Sequence, residues 1–300
     1  KDSASERYKF TKLHEITRLI FKKEDDPILK YINDDGQMVE PIFYAPIIPM
    51  ILVNGAKGIG TGFSTDIIPY HPIELIEYIQ CILRNKTPNT NIKPYYHNFL
   101  GTINKTNGNK YIVKGIYKIQ KDSVIISELP IGMWTDDYKQ YLETLLENKN
   151  KYIKDYNDNG TERSISIEII FHKNIIPTLL SATSSDGEYN ELEKLLKLYS
   201  FQNENNMHLF NHDEKLIKYE SIHHIIVEFY KFRLNMYQIR KDYLIKDLND
   251  KLIVLVNKCN YIKEIIANTI DLRNKSKSTI DILLLSKEYV KQNESYNYLL

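Results

Sequence analysis

The sequence predicts a mixed α+β fold in which short strands and helices precede one long helical arm. All ten prolines fall between Pro27 and Pro177, and neither proline nor glycine occurs after Gly187. Apolar residues at alternate positions in the middle of the chain predict strands. Apolar residues at steps of three and four after Ser221 predict a long helix.

The composition argues against several classes of protein. Forty basic and thirty-nine acidic residues give a net charge of +1, so any anion-binding surface must be local. The two cysteines, Cys81 and Cys259, lie far apart and suggest neither a metal site nor a disulfide framework. The longest apolar run, 43–53, is too short to span a bilayer, and the N-terminus has no hydrophobic signal segment. We therefore expect an intracellular protein without a membrane segment.

The first predicted elements are a helix, a loop, an extended segment and a second helix. Residues 9–21 have apolar side chains at helical spacing, which predicts a short amphipathic helix. Asp-Pro and Asp-Gly breakers in 24–37 favour a loop with a brief helical turn. Residues 41–55 are apolar and predicted to be extended. Proline at the first helical position predicts a helix at 72–84.

Strand patterns dominate the middle of the chain, and the clearest is at 164–171, where apolar residues occupy every second position from Ile165. The predicted elements of this region are strands at 111–119 and 124–129, a helix at 136–147, the strand at 164–171, a helix at 188–198 and a hairpin at 207–219.

A long helix is predicted from Ser221 to about Ile266. Its apolar residues recur at steps of three and four, slip once in phase, and resume from Leu248. This pattern is typical of a coiled-coil seam on a helix about 70 Å long at ~1.5 Å per residue. No single globular core needs such a helix, so we expect a spacer arm that packs against a partner helix.

The segment 54–62, NGAKGIGTG, contains four of the eleven glycines. A phosphate-binding Walker A loop would need Lys followed by Ser or Thr after Gly60, but Thr61-Gly62 follows instead. A dinucleotide fingerprint would need a helix that starts here, and none is predicted. The remaining interpretations are a plain tight turn, or a segment whose small residues clear space around the bulky Ile59.

The other candidate sites favour structural roles. His208 and His212 have a spacing that suits a metal on a helix, but a predicted hairpin removes that geometry. The adjacent histidines 223–224 point to different faces of the long helix. The acidic pairs 25–26 and 34–35 could hold a divalent cation, although neighbouring loop breakers favour capping and turn roles.

The N-terminal segment 1–23 carries seven basic and three acidic residues in a chain that is otherwise balanced. Within it Arg7 precedes Tyr8. One interpretation makes Tyr8 a nucleophile that attacks a phosphodiester, while Arg7 donates two hydrogen bonds to the charge that develops on phosphorus. The alternative is that Tyr8 is one of twenty-three tyrosines without a special role.

Longer segments carry a family resemblance. They are KDSASERYKFTKL at 1–13, EDDPILKYINDDGQMVEP at 24–41, YAPIIPMILVNGAKGIGTGFSTDIIPYHP at 44–72, ISELPIGMWT at 126–135 and SYNYLL at 295–300. Together they resemble the breakage–reunion region of eukaryotic-type type IIA DNA topoisomerases, over the whole chain. The sequence GTGFS fits the eukaryotic and viral branch better than the bacterial gyrase branch.

The resemblance implies an α+β architecture with a winged-helix remnant, a tower-like domain with a small antiparallel sheet, and a long coiled-coil helical arm. The expected divisions are 1–46 for the end of the winged-helix domain with the catalytic tyrosine, 47–218 for the tower, and 219–300 for the arm and an incomplete exit-gate region.

The resemblance also implies roles for individual residues. Tyr8 is expected to form a 5′-phosphotyrosyl link to DNA, with Arg7 stabilising the transition state. Ile59 is expected to insert between base pairs of the gate duplex and help bend it. The DNA-contacting residues assigned in this way are Ile59, Lys1, Ser3 and Lys57. Three positions depart from the usual family residues: Glu6 for a small residue or proline, Lys57 for glutamate and Phe63 for tryptophan.

The activity implied is ATP-dependent passage of one DNA duplex through a transient double-strand break in another, which relaxes and decatenates DNA. The implied partners are double-stranded DNA and a second copy of the protein, in the nucleus or at a cytoplasmic replication site of a virus. Mg²⁺ and ATP are expected to bind parts of the full-length enzyme absent from this chain, so no metal ligand is assigned and the fragment alone is expected to be inactive. The alternative is a catalytically inert DNA-binding or scaffold fragment of the same architecture.

Overall fold

The computed structural model describes residues 5–89, 91–106, 108–147, 152–161, 163–184, 187–273 and 275–300. The chain divides into two compact units. Unit 1 is the chain up to Ile47 together with Lys231–Leu300, and unit 2 is Ile48–Tyr230. The predicted domain bounds 1–46, 47–218 and 219–300 stay predictions.

Among the described residues the helices are α1 (Thr17–Ile20), α2 (Met50–Asn54), α3 (Pro72–Leu83), α4 (Thr135–Glu147), α5 (Ile175–Ser181), α6 (Glu191–Leu195), α7 (Ile222–Ile266) and α8 (Lys277–Ser286). The strands are β1 (Tyr31–Asp34), β2 (Gln37–Pro41), β3 (Ala56–Gly60), β4 (Phe63–Ile67), β5 (Thr102–Lys105), β6 (Lys110–Lys114), β7 (Ile116–Ile119), β8 (Ser123–Glu128), β9 (Ile153–Asp158), β10 (Ile167–Phe171), β11 (Tyr199–Asn203), β12 (Met207–Phe210) and β13 (Leu216–Tyr219). This mixture of helices and small antiparallel sheets confirms the predicted α+β class.

The start of unit 1 is less helical than the sequence predicts. A 3₁₀ turn covers Glu6–Tyr8, and only Thr17–Ile20 of the predicted helix at 9–21 is helical. Leu13 and Leu19, which belong to the predicted apolar face, are exposed. The helix prediction is therefore wrong over most of its length, because no burial offsets the cost of ordering a short helix.

A hairpin of β1 and β2 lies where a loop is predicted. Asp35 and Gly36 occupy the turn with φ angles of 46° and 87°. An Asp-Gly pair favours such a turn because both positions need a positive φ. The side-chain oxygen of Asn33 accepts a hydrogen bond from the Gly36 amide at 2.8 Å. The turn role of the acidic pair 34–35 is confirmed, whereas the flanking strands escaped prediction because their side chains are mostly exposed.

A buried ionic cluster joins the N-terminal segment of unit 1 to α7. The Asp25 carboxylate lies 2.7 Å from Nη1 of Arg233 and 3.4 Å from Nη1 of Arg240, and the Asp25 and Arg233 side chains are only 3% and 4% exposed. Arg233 also donates a hydrogen bond to the Ala45 carbonyl at 3.0 Å. Both guanidinium groups pack against the ring of Tyr237. The capping or turn role predicted for Asp25 is wrong: its carboxylate is the counterion of two arginines.

The C-terminal part of unit 1 has its own small apolar cluster. Tyr289, Tyr296 and Leu299 pack with Leu284 of α8 and with Ile270. Asn257 of α7 donates a hydrogen bond from its side-chain amide to the Tyr298 hydroxyl at 2.8 Å. These contacts fold the residues after α7 back onto its C-terminal half.

Unit 2 has two apolar clusters in its described residues. The first lies between α2, α3, the first turns of α7 and the β12–β13 hairpin, with Leu52, Leu75 and Ile226 fully buried. The second lies between α4, α6 and the four-stranded sheet β7-β8-β10-β9, with Ile126 and Ile167 fully buried. Unit 2 also contains a three-stranded sheet, β11-β6-β5, helix α5 and the β3–β4 hairpin.

The element predictions for unit 2 have mixed outcomes. The helices at 72–84 and 136–147 and the hairpin at 207–219 are confirmed. The extended segment predicted at 41–55 is wrong in its C-terminal part, because Met50–Asn54 forms a helix that buries Leu52. The strand predicted at 111–119 is two strands of different sheets. They separate at Gly115, where a side chain would come within 2.2 Å of the Glu128 carbonyl oxygen.

Some elements of unit 2 were not predicted, and one predicted helix is shorter than expected. Strands β5, β9 and β11 and helix α5 were not predicted, and the helix predicted at 188–198 contains only the five residues of α6. A capping box at Asn190 and Glu193 starts α6. Strands at sheet edges carry too little apolar alternation for a reliable prediction.

The long helix is confirmed, with 45 residues from Ile222 to Ile266. The residues of the predicted apolar seam differ in exposure along α7. Ile222, Ile225 and Met236 are buried, whereas the later seam residues Leu248, Leu252, Leu255, Ile262 and Ile266 are exposed. The partner helix for this exposed half stays a prediction.

We expect the substitution Arg233→Met to destabilise the protein by about 3 kcal/mol, because it leaves the buried Asp25 carboxylate without its closer partner. The matched control is Asp247→Ala, which removes the exposed pair with Lys251 in the same helix and should cost no more than about 0.5 kcal/mol. Urea unfolding measures both, and equal midpoints for the two variants would contradict the assignment.

Candidate functional site

The Arg7–Tyr8 pair lies in the 3₁₀ turn at the start of unit 1. The turn is closed by a hydrogen bond from the Tyr8 amide to the Ser5 carbonyl at 3.0 Å. The Tyr8 side chain is 71% exposed, and the Arg7 guanidinium lies 5.1 Å from the centre of its ring. The structure thus places the phenol at the surface with a cation beside it. Lys1 and Ser3, which were assigned to DNA contact, lie outside the described residues.

The glycine-rich segment is a β-hairpin and not an irregular loop. β3 pairs antiparallel with β4 so that Lys57 faces Asp66, Ile59 faces Ser64 and Gly60 faces Phe63. The turn follows Gly60, and Gly62 in it has a φ of 85°. A nucleotide loop would instead lead from a strand into the N-terminus of a helix.

Ile59 projects from this hairpin and is 94% exposed. The glycines around it differ in their surroundings. A side chain at Gly58 would meet nothing within 4 Å, whereas one at Gly60 would come within 2.8 Å of the Phe63 ring. At Gly55, where φ is 68°, a side chain would come within 2.7 Å of the Ile67 carbonyl oxygen. The hairpin therefore needs glycine at its base and at the ring contact, and leaves open space beside Ile59.

Lys57 is the cation nearest to Ile59 along β3. Its Nζ lies 3.2 Å from Oδ2 of Asp66, its partner in the hairpin, and its side chain is 80% exposed. An exposed pair of this kind contributes little to stability. The ammonium can therefore exchange Asp66 for another anion at small cost.

A buried cluster of tyrosines around Glu204 lies below the hairpin in the first apolar cluster of unit 2. The Tyr70 hydroxyl donates a hydrogen bond to Oε1 of Glu204, and burial is the main cause that raises the pKa of Tyr70 far above its usual range. Burial and the same carboxylate raise the pKa of Tyr111. Burial, followed by the Asp66 charge, raises the pKa of Tyr96 to about 12. All three phenols therefore stay protonated at neutral pH and can donate hydrogen bonds.

The four histidines considered as candidate ligands lie in the β12–β13 hairpin and at the start of α7. His208 is in β12 and His212 is in the following turn, so the two do not share a helix. His223 stacks on Tyr78 with 5.3 Å between ring centres, and His224 meets Tyr219 edge to face. Within the described residues no three His, Cys, Asp or Glu side chains are grouped closely enough to hold a metal ion. No described helix is both long and apolar enough to cross a membrane.

Sequence reasoning missed the residues that support the hairpin. The ring of Phe63 packs edge to face on Phe210, with 6.1 Å between ring centres, and lies 6.3 Å from the ring of His208. Asn206, at the start of the same hairpin β12–β13, contacts β4 through hydrogen bonds. These contacts join segments far apart in the chain, so no local pattern could have indicated them.

Comparisons with known proteins identify the family of the chain. The family model for the A-type subunit of DNA gyrase/topoisomerase IV matches residues 1–300. The chain belongs to this family of type II DNA topoisomerases and corresponds to its cleavage–reunion region.

Individual relatives come from eukaryotes and a virus. The chain is 37% identical to the mitochondrial DNA topoisomerase 2 of Dictyostelium discoideum over 96% of its length, and 40% identical to DNA topoisomerase 2 of Plasmodium falciparum over 96%. It is 35% identical to DNA topoisomerase 2 of Acanthamoeba polyphaga mimivirus over 99%. It spans only 22%, 20% and 28% of these three proteins, respectively.

A solved structure resembles the whole chain. The DNA-binding, cleavage and re-ligation domain of Plasmodium falciparum topoisomerase II superposes with a TM-score of 0.84 at 36% identity. The match covers 100% of this chain and 43% of that chain. The fold of this chain is thus that of a topoisomerase II cleavage domain.

We expect Gly55→Ala to destabilise unit 2 by about 1–3 kcal/mol, because the new side chain meets the Ile67 carbonyl and the positive φ disfavours it. Gly58→Ala is the matched control in the same hairpin. It meets open space, so its stability should stay within about 0.5 kcal/mol of the native protein. Thermal unfolding compares the two variants, and an equal loss in both would refute this account of the hairpin.

Proposed function

We propose that this chain is the part of an ATP-dependent type II topoisomerase that cuts and reseals the gate duplex, with Tyr8 as the nucleophile. The observation that carries the proposal is the exposed Tyr8 phenol with the Arg7 guanidinium beside it. Arginine suits this place because its planar group can donate two hydrogen bonds to phosphate oxygens and stays charged.

The proposed reaction is a transesterification. Oη of Tyr8 loses its proton and forms a bond to a backbone phosphorus, while the bond from that phosphorus to the 3′ oxygen breaks and the 3′ oxygen gains a proton. The DNA is left with a 5′-phosphotyrosyl link and a free 3′ hydroxyl. Resealing is the reverse attack by that hydroxyl. Because one phosphate ester replaces another, resealing needs no external energy source.

Arg7 is proposed to stabilise the transition state. Negative charge increases on the phosphate oxygens as the phosphorus becomes five-coordinate, and a guanidinium held nearby offsets that charge. A group that contributes in this way typically accelerates a reaction by about 10²–10³-fold.

Ile59 is proposed to act as a wedge between base pairs. An apolar side chain that is exposed on a narrow hairpin can enter a base step at a cost of about a few kcal/mol for unstacking. The bend that results brings more of the duplex against the protein and so offsets this cost. The exposure of Ile59 and the open space at Gly58 support this role.

The basic residues and partners complete the proposal. Lys57 is proposed to exchange Asp66 for a DNA phosphate, and Lys1 and Ser3 to contact the DNA backbone beside Tyr8. A homodimer would supply one nucleophile for each strand, and the exposed half of the α7 seam supports helix pairing in a coiled coil. Relaxation and decatenation of DNA would take place in the nucleus or, for a virus, at a cytoplasmic replication site.

Mg²⁺ and ATP are proposed to bind the protein outside this chain. The described residues do not fit a metal site, since no three candidate ligands are grouped together. The glycine hairpin does not fit a nucleotide phosphate, since no helix follows its turn. ATP hydrolysis would supply the conformational work of strand passage, and the chemistry at Tyr8 would be separate from it.

We expect Tyr8→Phe to abolish the covalent protein–DNA adduct that is trapped when the complete protein is denatured on DNA. Arg7→Ala should lower the cleavage rate about 10²–10³-fold. The control is Tyr95→Phe, which removes another surface hydroxyl but keeps the ring contact with His71. An adduct that persists in Tyr8→Phe would refute the nucleophile, and a native protein that forms none would favour the inert scaffold.

We expect Ile59→Ala to reduce bending of the gate duplex and to lower cleavage, because a methyl group is too small to hold a base step open. Fluorescence energy transfer between the two ends of a duplex measures the bend at saturating protein. Ile73→Ala, an isoleucine that is 56% exposed on α3, should leave the bend unchanged. Native bending in Ile59→Ala would contradict the wedge.

A further inference from the structure

The β3–β4 hairpin cannot hold Ile59 in place by itself. A two-stranded hairpin is at best marginally stable in water. A side chain at Gly58 would meet nothing within 4 Å, so the strand that carries Ile59 has little side-chain packing of its own. Stacked bases resist a side chain that enters between them, and this resistance pushes back on the hairpin that carries the side chain. The support must therefore come from a neighbouring element.

That element is strand β12 together with Asn206, the residue that precedes it. The Asp66 amide donates a hydrogen bond to the Asn206 carbonyl at 2.7 Å. The side-chain amide of Asn206 donates through Nδ2 to Oγ of Ser64 at 2.7 Å. Ser64 is the residue that faces Ile59 across the hairpin. One asparagine thus holds β4 at two points, and one of them is directly opposite the exposed isoleucine.

The side-chain oxygen of Asn206 orients the ring of His208. Oδ1 of Asn206 lies 2.9 Å from Nδ1 of His208, and since Nδ2 donates to Ser64, Oδ1 accepts a hydrogen bond from a protonated Nδ1. The His208 ring packs near Phe63, whose own ring covers Gly60 at the tip. Asn206 therefore orients both the polar and the aromatic support of the hairpin.

Asn206 is itself held by the apolar core of unit 2. Glu204, two residues earlier, accepts a hydrogen bond from the buried Tyr70 hydroxyl. The backbone amide of Glu204 donates a hydrogen bond to the Asn109 carbonyl at 2.9 Å. The segment from Glu204 to Asn206 is thus fixed at both its side chain and its backbone. A rigid path leads from the core through Asn206 to the strand opposite Ile59.

We propose that Asn206 is a positioning residue for the wedge: its hydrogen bonds to β4 hold Ile59 in the projection that opens a base step. The proposal rests on the proposed function of Ile59. Asn206 does not touch the DNA in this role. It acts through Ser64 and the hairpin, so its loss should affect bending and cleavage more than binding.

The first test measures bending and steady-state kinetics of the complete protein. We expect Asn206→Ala to lose most of the bend that Ile59→Ala loses and to lower kcat about tenfold, the effect of one hydrogen bond of this kind. The KM for DNA should change less than about twofold. Ser64→Ala should reproduce part of the loss, and Ser64→Thr, which keeps the hydroxyl, should restore native bending.

The second test separates positioning from general loss of structure. A duplex with a mismatch at the wedge step is already unstacked, so it should need less force from the hairpin. We expect the mismatch to restore most of the cleavage lost in Asn206→Ala and in Ser64→Ala. A misfolded variant would gain nothing from the altered duplex. Failure of this rescue in both variants would overturn the proposal.

The Ile59→Ala variant separates a failure of the wedge from a failure of its positioning residue. If Ile59→Ala lowers bending and Asn206→Ala and Ser64→Ala do not, Asn206 has no positioning role and the wedge stands. If Ile59→Ala bends DNA like the native protein, both the wedge and its positioning residue are refuted.

Discussion

A hairpin that presents a large apolar side chain to water must obtain its rigidity from outside itself. In this chain the glycines that clear space around Ile59 also remove the packing that would stiffen the strand. The contact between β4 and the start of the β12–β13 hairpin resolves this conflict, because hydrogen bonds with Asn206 and the ring contacts of Phe63 fix the strand opposite Ile59. Much of unit 2 follows from it: the β12–β13 hairpin packs its inner face on α2 and α3, and so connects the tip to the core.

In unit 1 a buried ionic cluster holds the N-terminal segment in place. The segment after Tyr8 has little regular structure and exposes several apolar side chains, so packing alone does not hold it. The Asp25 carboxylate is buried between two arginines of α7, and Arg233 binds the Ala45 carbonyl as well. A buried ion pair adds little net stability over an apolar contact, but it tolerates few other arrangements. The cluster thus specifies where the segment lies on the helix.

The sequence predicted those parts of the fold that depend on local pattern. The period of α7, the proline that starts α3 and the alternation in β10 were sufficient to identify these elements. The Asp-Gly pair in the β1–β2 turn indicated a turn, but the polar strands on either side of it lacked an apolar pattern that would predict them. The helix α2 was hidden by the prolines that precede it.

The residues of the candidate site divide in the same way. The proposed roles of Arg7, Tyr8 and Ile59 come from the family resemblance, and physical reasoning from the residues alone left each of them ambiguous. Asn206 and Ser64 are 142 positions apart, and their hydrogen bond has no signature in either local sequence. The same holds for Asp25, whose neighbours suggested a turn, while its partners lie in a helix at the other end of the chain. Long-range polar contacts need a structure to be seen.

The position of the Asp25 cluster also bears on the order in which the chain matures during synthesis. Its two halves lie on either side of Ile48–Tyr230, which forms a compact unit of its own. At about 5–20 residues per second, a ribosome needs on the order of ten to forty seconds to make that unit. Over this interval the segment that carries Tyr8 has no arginine partner for Asp25. The segment that carries Tyr8 can therefore acquire the contacts of the Asp25 cluster only after this part of α7 has been made.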